Sequence, residues 1–134
     1  MGSWIPGDAT FVSQLLKLSS SYMPPPPDGF VSPMTWGEEA HIIERFGQAG
    51  VRPEKISTVK DTFHFVSADC GPPHVSELFK RFYGPTMNAF EAAEKSARAE
   101  EFSGQLVDLA MAQNNSTNGG TSIPATYLRV TIQL

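Results

Sequence analysis

Three histidines, one cysteine and a few carboxylates and phenols carry the chemistry open to this 134-residue chain. His64 stands in Phe63-His64-Phe65, an apolar setting where an imidazole could act as a base near neutral pH. His41 follows Glu38 by three residues, which sets both side chains on one helix face. Glu38 and Glu39 offer carboxylates for acid–base work beside Trp36. Tyr83 precedes Gly84-Pro85, whose bend could expose its hydroxyl. His64, His41, Glu38 and Tyr83 are therefore the candidate catalytic residues. His41, His64 and His74 are far apart and form no His-x-x-x-His pair, so no metal site is expected. Cys70, the lone cysteine, can form no internal disulfide and fits a reducing compartment. It lies in Ala-Asp-Cys-Gly-Pro-Pro with His74 four residues on. A nucleophile there is one reading, and an incidental loop thiol is the favoured one.

A second group could bind rather than react. Trp36, Tyr22, Phe79, Phe82 and Phe90, with Met87, could line a pocket for a small apolar metabolite, although aromatics at helical spacing more often build a core. The formal net charge is −4. No basic cluster exceeds Lys80-Arg81, which argues against nucleic acid and anionic membranes as partners. No apolar run approaches the roughly 18 residues of a membrane span, and the N-terminus lacks a basic-then-apolar signal layout. The expectation is a soluble, cytoplasmic, single-domain protein over residues 1–134.

These residues must be positioned by a few elements. Phe11, Val12, Leu15, Leu16, Leu18 and Tyr22 predict a helix over 9–22, with Asp8 or Thr10 as its cap. Pro24 to Pro27 end it and act as a rigid spacer. Thr35 is expected to cap a second helix with Glu38 and Glu39 in its first turn. Residues 55–67 read as a strand, with Val59, Asp61, Phe63 and Phe65 on one face and His64 on the other. A helix follows over 74–83, and Gly84-Pro85-Thr86 starts another. A break is expected near Gly104. Asn114 to Gly120 is a loop. Residues 125–134 alternate cleanly, with Leu128, Val130 and Ile132 on one face. The fold class is α+β, with four to five helices packed on a small antiparallel sheet.

The order of three motifs carries more. Ser32-Pro33-Met34-Thr35-Trp36-Gly37-Glu38-Glu39-Ala40 precedes Ser76-Glu77-Leu78-Phe79-Lys80-Arg81-Phe82-Tyr83-Gly84-Pro85-Thr86-Met87-Asn88-Ala89-Phe90. Ile123-Pro124-Ala125-Thr126-Tyr127-Leu128-Arg129-Val130 comes last. That order resembles the C-terminal, acceptor-side half of class I S-adenosylmethionine-dependent methyltransferases, from about residue 4 to residue 134. The resemblance implies a truncated Rossmann-like sheet. Trp4-Ile5-Pro6 would follow its fifth strand, residues 55–67 would be its sixth, and residues 125–134 its seventh, running antiparallel between those two.

The donor-binding half of that family has no counterpart in these residues. Its glycine-rich strand-to-helix turn and its ribose-binding acid are missing; Gly119-Gly120 comes late and opens no helix. The resemblance thus implies no S-adenosylmethionine site and no bound cofactor in this chain alone. It also implies a seventh strand that has lost a neighbour, apart from a remnant at Trp4. An unpaired apolar edge invites association. The favoured outcome is a homodimer through the edge of strand 125–134. A separately encoded methyltransferase half, or the N-terminal helix folded over the edge, would also cover it. The expected function is a cofactor-independent cyclase or isomerase acting on a small apolar metabolite. The alternative is a non-catalytic subunit or small-molecule-binding remnant.

Overall fold

The alternating C-terminal segment forms the centre of the molecule. In the computed structural model, which describes residues 1–134, it is strand β3, Thr121–Ile132. It pairs antiparallel along its whole length with β2, Ile56–Ser67. On its other side it pairs antiparallel with the short β1, Gly2–Trp4. The sheet order is β1-β3-β2. Five helices complete an α+β fold: α1 Phe11–Ser20, α2 Glu39–Gln48, α3 Pro72–Phe82, α4 Gly84–Lys95 and α5 Ala99–Gln113. Two short 3-10 turns lie at Pro33–Gly37 and Pro53–Lys55. No helix is long and apolar enough to cross a membrane.

β3 changes its buried face along its length. Ile123 and Ala125 join the main core with Phe11, Val12 and Leu15 of α1, Phe90 of α4 and Phe102 and Leu106 of α5. Leu128 and Val130 lie on the opposite face, because side chains alternate with period two. They pack with Ile42 of α2 and partly buried Ile5, Phe46, Ile56 and Ile132. Helices α1, α3, α4 and α5 therefore cover one face at one end of the strand, and α2 covers the other face at the other end.

Several local expectations are corrected. α1 begins at Phe11, and Thr10 makes no capping bond to it. The Thr10 hydroxyl instead donates to Asp8 and accepts the backbone N–H of Thr126. Thr35 does not cap α2; it lies inside the Pro33–Gly37 turn, whose cap is Ser32, and Glu38 precedes α2. The chain does not break at Gly104, which sits inside α5. The break falls earlier, between α4 and α5, where Ala97 takes a left-handed φ of 57°. A Cβ on Gly104 would meet nothing within 4 Å, so this glycine lowers helix propensity without stopping the helix.

The expected open edge of β3 is largely occupied. Gln133 N–H bonds to Lys55 C=O, which fixes the odd residues of β3 as those facing β2. The even residues face β1. Val130 and Met1 exchange two bonds, at 2.7 and 2.8 Å. Thr126 N–H reaches Thr10 Oγ1 at 2.8 Å. Pro124 has no N–H to satisfy. Ser122 N–H bonds to Asn114 Oδ1, and its carbonyl accepts from Asn115 N–H, both at 2.8 Å. Most of the β3 edge is thus covered within the chain, and only the backbone of Ile132 and the carbonyls of Pro124 and Thr126 are left without a partner on that side. The short β1, together with Thr10 and Asn114, does the covering.

Candidate functional site

The elements leave two apolar hollows, which share the Tyr83 side chain. Pro85 lies three residues beyond Phe82, the last residue of α3, so α3 must stop and α4 must start afresh. Tyr83 sits at that junction, half-buried against Phe79 with ring centroids 5.1 Å apart. Burial raises its phenol above the ordinary value, partly countered by the Trp4 side chain. It is therefore a neutral hydrogen-bond donor at physiological pH, not a base.

The first hollow, of about 410 Å³, lies at the carboxyl end of β1. Its apolar wall is Trp4, Leu16, Met23, Phe30, Met34 and Tyr83. The loop from Met23 to Met34 forms one side, which explains why Phe30 stays 57% exposed. Ser19, on α1, also lines it. Ser19 is 3% exposed, and its Oγ has no hydrogen-bond partner. A buried hydroxyl without a partner costs about 1–3 kcal/mol; a polar group of a bound molecule would relieve it once the wall yields enough to reach the oxygen, which is itself closed off.

The second is a larger cleft of about 710 Å³ between β2 and α3. Residues Phe63 to Ser67 form one wall; Val75, Leu78, Phe79, Phe82 and Tyr83 form the other, with Cys70 and His74 at the end. Phe65 and Phe79 pack edge-to-face at 5.5 Å and close its floor. Val66 and Phe82 are about 70% open to solvent, at 73% and 69%. A small hollow at Gly2, Ser3, Trp4, Phe63 and Tyr127 shares Ser3 and Trp4 with the first and Phe63 with the second.

The candidate catalytic residues do not converge. His64 reaches the rim of the β2–α3 cleft, but alternation sends its ring to the face opposite Phe63 and Phe65. Asp61 shares a face with Phe63 and pairs with Arg129 at 3.7 Å, so no His64–Asp61 dyad forms. His41 and Glu38 do meet, at 2.9 Å, with Glu44 at 3.9 Å on the other side. That cluster lies at the start of α2, across the sheet from both hollows. Of the four, Tyr83 alone lies between the two hollows.

The binding candidates divide similarly. Phe79 and Phe82 line the β2–α3 cleft. Tyr22 and Phe90 are core residues, stacked on either side of Phe102 at 4.4 and 4.2 Å. The Tyr22 hydroxyl donates to Gln105 Oε1 at 2.6 Å. Trp36 packs against Phe46 and under the Arg45 guanidinium, away from both hollows. Met87 is 45% exposed on α4 and lines neither. Sequence reasoning missed Ser19, Met34, Phe30 and Leu78. Phe30 and Met34 follow the proline tract, outside any periodic segment, and Ser19 gives no signal beyond a serine on a helical stripe. No group of three or more His, Cys, Asp or Glu side chains is placed to hold a metal ion.

Comparison with known protein families, curated proteins and solved structures gives no match to this chain.

Proposed function

We propose that this chain is the acceptor-side half of a methyltransferase-like ancestor and binds a small, largely apolar metabolite in the Trp4–Tyr83 hollow. On this reading it holds no S-adenosylmethionine by itself. The ancestry is supported by the sheet order β1-β3-β2, with the last strand antiparallel between its neighbours. That is the arrangement expected of the fifth, seventh and sixth strands. Ligands of doubly wound sheets sit beyond the carboxyl ends of the strands, and this hollow lies beyond Trp4.

One observation carries the binding reading: the Ser19 hydroxyl, buried and unpartnered in a wall of Trp4, Leu16, Met23, Phe30, Met34 and Tyr83 that also carries Ser3, Ser20, Ser32 and Asn88. Its ligand is an apolar body with one hydrogen-bonding group. The β2–α3 cleft suits such a ligand less well. It runs along free strand backbone, which an apolar molecule would strip of water without replacing the lost bonds.

Catalysis, where it occurs, falls to Tyr83. A neutral phenol in a water-poor wall can donate to a developing oxyanion, as a cofactor-independent cyclase or isomerase requires. The split-enzyme reading is weaker. A strand added outside β1 would find little room at Trp4, because Gly37 lies against its carbonyl: a Cβ on Gly37 would fall 1.9 Å from that oxygen.

Titration with the neutral fluorophore N-phenyl-1-naphthylamine tests the binding reading, followed through Trp4 emission in a Trp36→Phe background. Saturable binding is expected. Ser19→Ala should weaken it roughly 5–10-fold, the value of one hydrogen bond. Phe30→Asp should abolish it, and Phe82→Asp should leave it unchanged. Micromolar binding of S-adenosylmethionine to the lone chain would refute the reading, as would indifference to Ser19→Ala.

A further inference from the structure

β2 is an edge strand of the sheet, and its outward side is almost unprotected. Its odd residues face β3, so the N–H and C=O groups of Thr58, Lys60, Thr62, His64 and Val66 point outward. Thr62 N–H is occupied by its neighbour, the Asp61 carboxylate, at 2.9 Å. No group of the chain bonds to the outward backbone of His64 or Val66. That open stretch runs along the β2–α3 cleft. Across the cleft, α3 presents His74, Leu78 and Phe82, four residues apart and so on one helix face. Leu78 and Phe82 are 41% and 69% exposed. Open strand backbone beside an apolar wall is the recognition surface for another strand.

We propose that the occupant is a second copy of this chain, joined by antiparallel β2–β2 pairing about a two-fold axis beside Phe65. In that register His64 of each copy exchanges backbone bonds with Val66 of the other, and Phe65 faces its own equivalent. The pairing uses the open residues that run along the apolar cleft and leaves the Asp61–Thr62 contact intact; Thr58 and Lys60 are also open but lie outside the cleft lining. The same axis makes α3 self-complementary. Phe79 packs on Phe65, so the axis passes α3 level with Leu78. The two α3 helices then run antiparallel, with Leu78 against Leu78 and His74 against Phe82. Glu77 of each copy comes near Arg81 of the other, a like-for-unlike match that a two-fold axis makes twice. The sheet becomes continuous over six strands, and the β2–α3 cleft is filled. This association goes beyond the metabolite-binding reading and does not rest on it, because the Trp4–Tyr83 hollow lies at the other end of Tyr83.

Sedimentation equilibrium of the full chain tests the proposal. The expected species is twice the 14.6 kDa chain mass, with a dissociation constant on the order of micromolar. Val66→Pro removes an outward N–H at an edge position where proline is tolerated, and Leu78→Lys places like charges on the axis. Each should raise the dissociation constant at least about tenfold while the circular dichroism spectrum stays that of the parent. In a Cys70→Ser background, Leu78→Cys should cross-link to itself on mild oxidation, and Met111→Cys on α5 should not. A monomer at about 100 µM would overturn the proposal. So would a dimer indifferent to both Val66→Pro and Leu78→Lys, or equal cross-linking by the two cysteine variants. A monomer that takes up an extended apolar peptide along β2 would overturn it too, by showing a different occupant.

Discussion

Thr10 Oγ1 accepts the backbone N–H of Thr126 at 2.8 Å while the same hydroxyl is held by the Asp8 carboxylate. One side chain thus ties the entry of α1 to the middle of the central strand. The contact replaces the ladder bond that a longer β1 would make. It also explains why Thr10 does not cap its own helix: its oxygen is oriented toward the sheet.

Thr10→Val should therefore be more costly than an exposed threonine change. It keeps the shape but strands the Thr126 N–H, at about 1–3 kcal/mol, while the Asp8 carboxylate keeps the Thr10 backbone N–H. Thr10→Ser should recover most of the loss. Urea titration with unchanged m-value would check both.

Two glycines should respond in opposite directions. Gly37→Ala forces a Cβ to within 1.9 Å of the Trp4 carbonyl oxygen, so the turn must leave β1, at about 1–3 kcal/mol or more. Gly104→Ala has open space in the middle of α5 and should stabilise by about 0.5–1 kcal/mol. Thermal melts of the two variants should move apart.

Acid should weaken the molecule through Glu101. A hydrogen bond from Arg98, at 2.8 Å, holds its carboxyl below the ordinary value of 4.5. The unfolded chain then binds the proton more readily, so this stabilisation is present above about pH 4.5 and fades as pH falls through the lower folded value. Glu101→Gln should make the fall in Tm between pH 5 and about pH 3 shallower.

Alkali should act through Tyr83 with the opposite sign. Burial raises its phenol above 10.0, so its contribution is present below about pH 10 and is lost as pH climbs through the folded value. Tyr83→Phe should flatten the alkaline limb of the melting profile and leave the acid limb unchanged.

The periodic elements were legible in the sequence because their signals are local. The alternation of Leu128, Val130 and Ile132 and the face assignment of Asp61 and Phe63 rest on period two alone, and both hold. The helix restart at Gly84-Pro85 rests on proline geometry and also holds. What escaped was tertiary. Nothing in Thr10 or Asn114 announces that their side chains will finish a sheet edge more than a hundred residues or only eight residues away. Glu38, His41 and Tyr83 all read as candidate catalytic residues with nothing local to separate them, yet β3 buries Leu128 and Val130 on one face and Ile123 and Ala125 on the other. That switch sends α2 to the far side of the sheet and takes Glu38 and His41 with it. Tyr22 and Phe90 were ambiguous between core and ligand wall, and Phe102 decided the matter by stacking between them.

The uneven treatment of the sheet's two sides has a colloidal consequence. Met1, Thr10 and Asn114 cover most of β3, and the Pro33–Gly37 turn lies against Trp4 of β1, while β2 keeps a longer open run between Thr58 and Val66. A molecule with one adhesive margin can meet one neighbour and then has no margin left. Concentrated solutions should hold closed pairs, and filaments would have to come from unfolded chains.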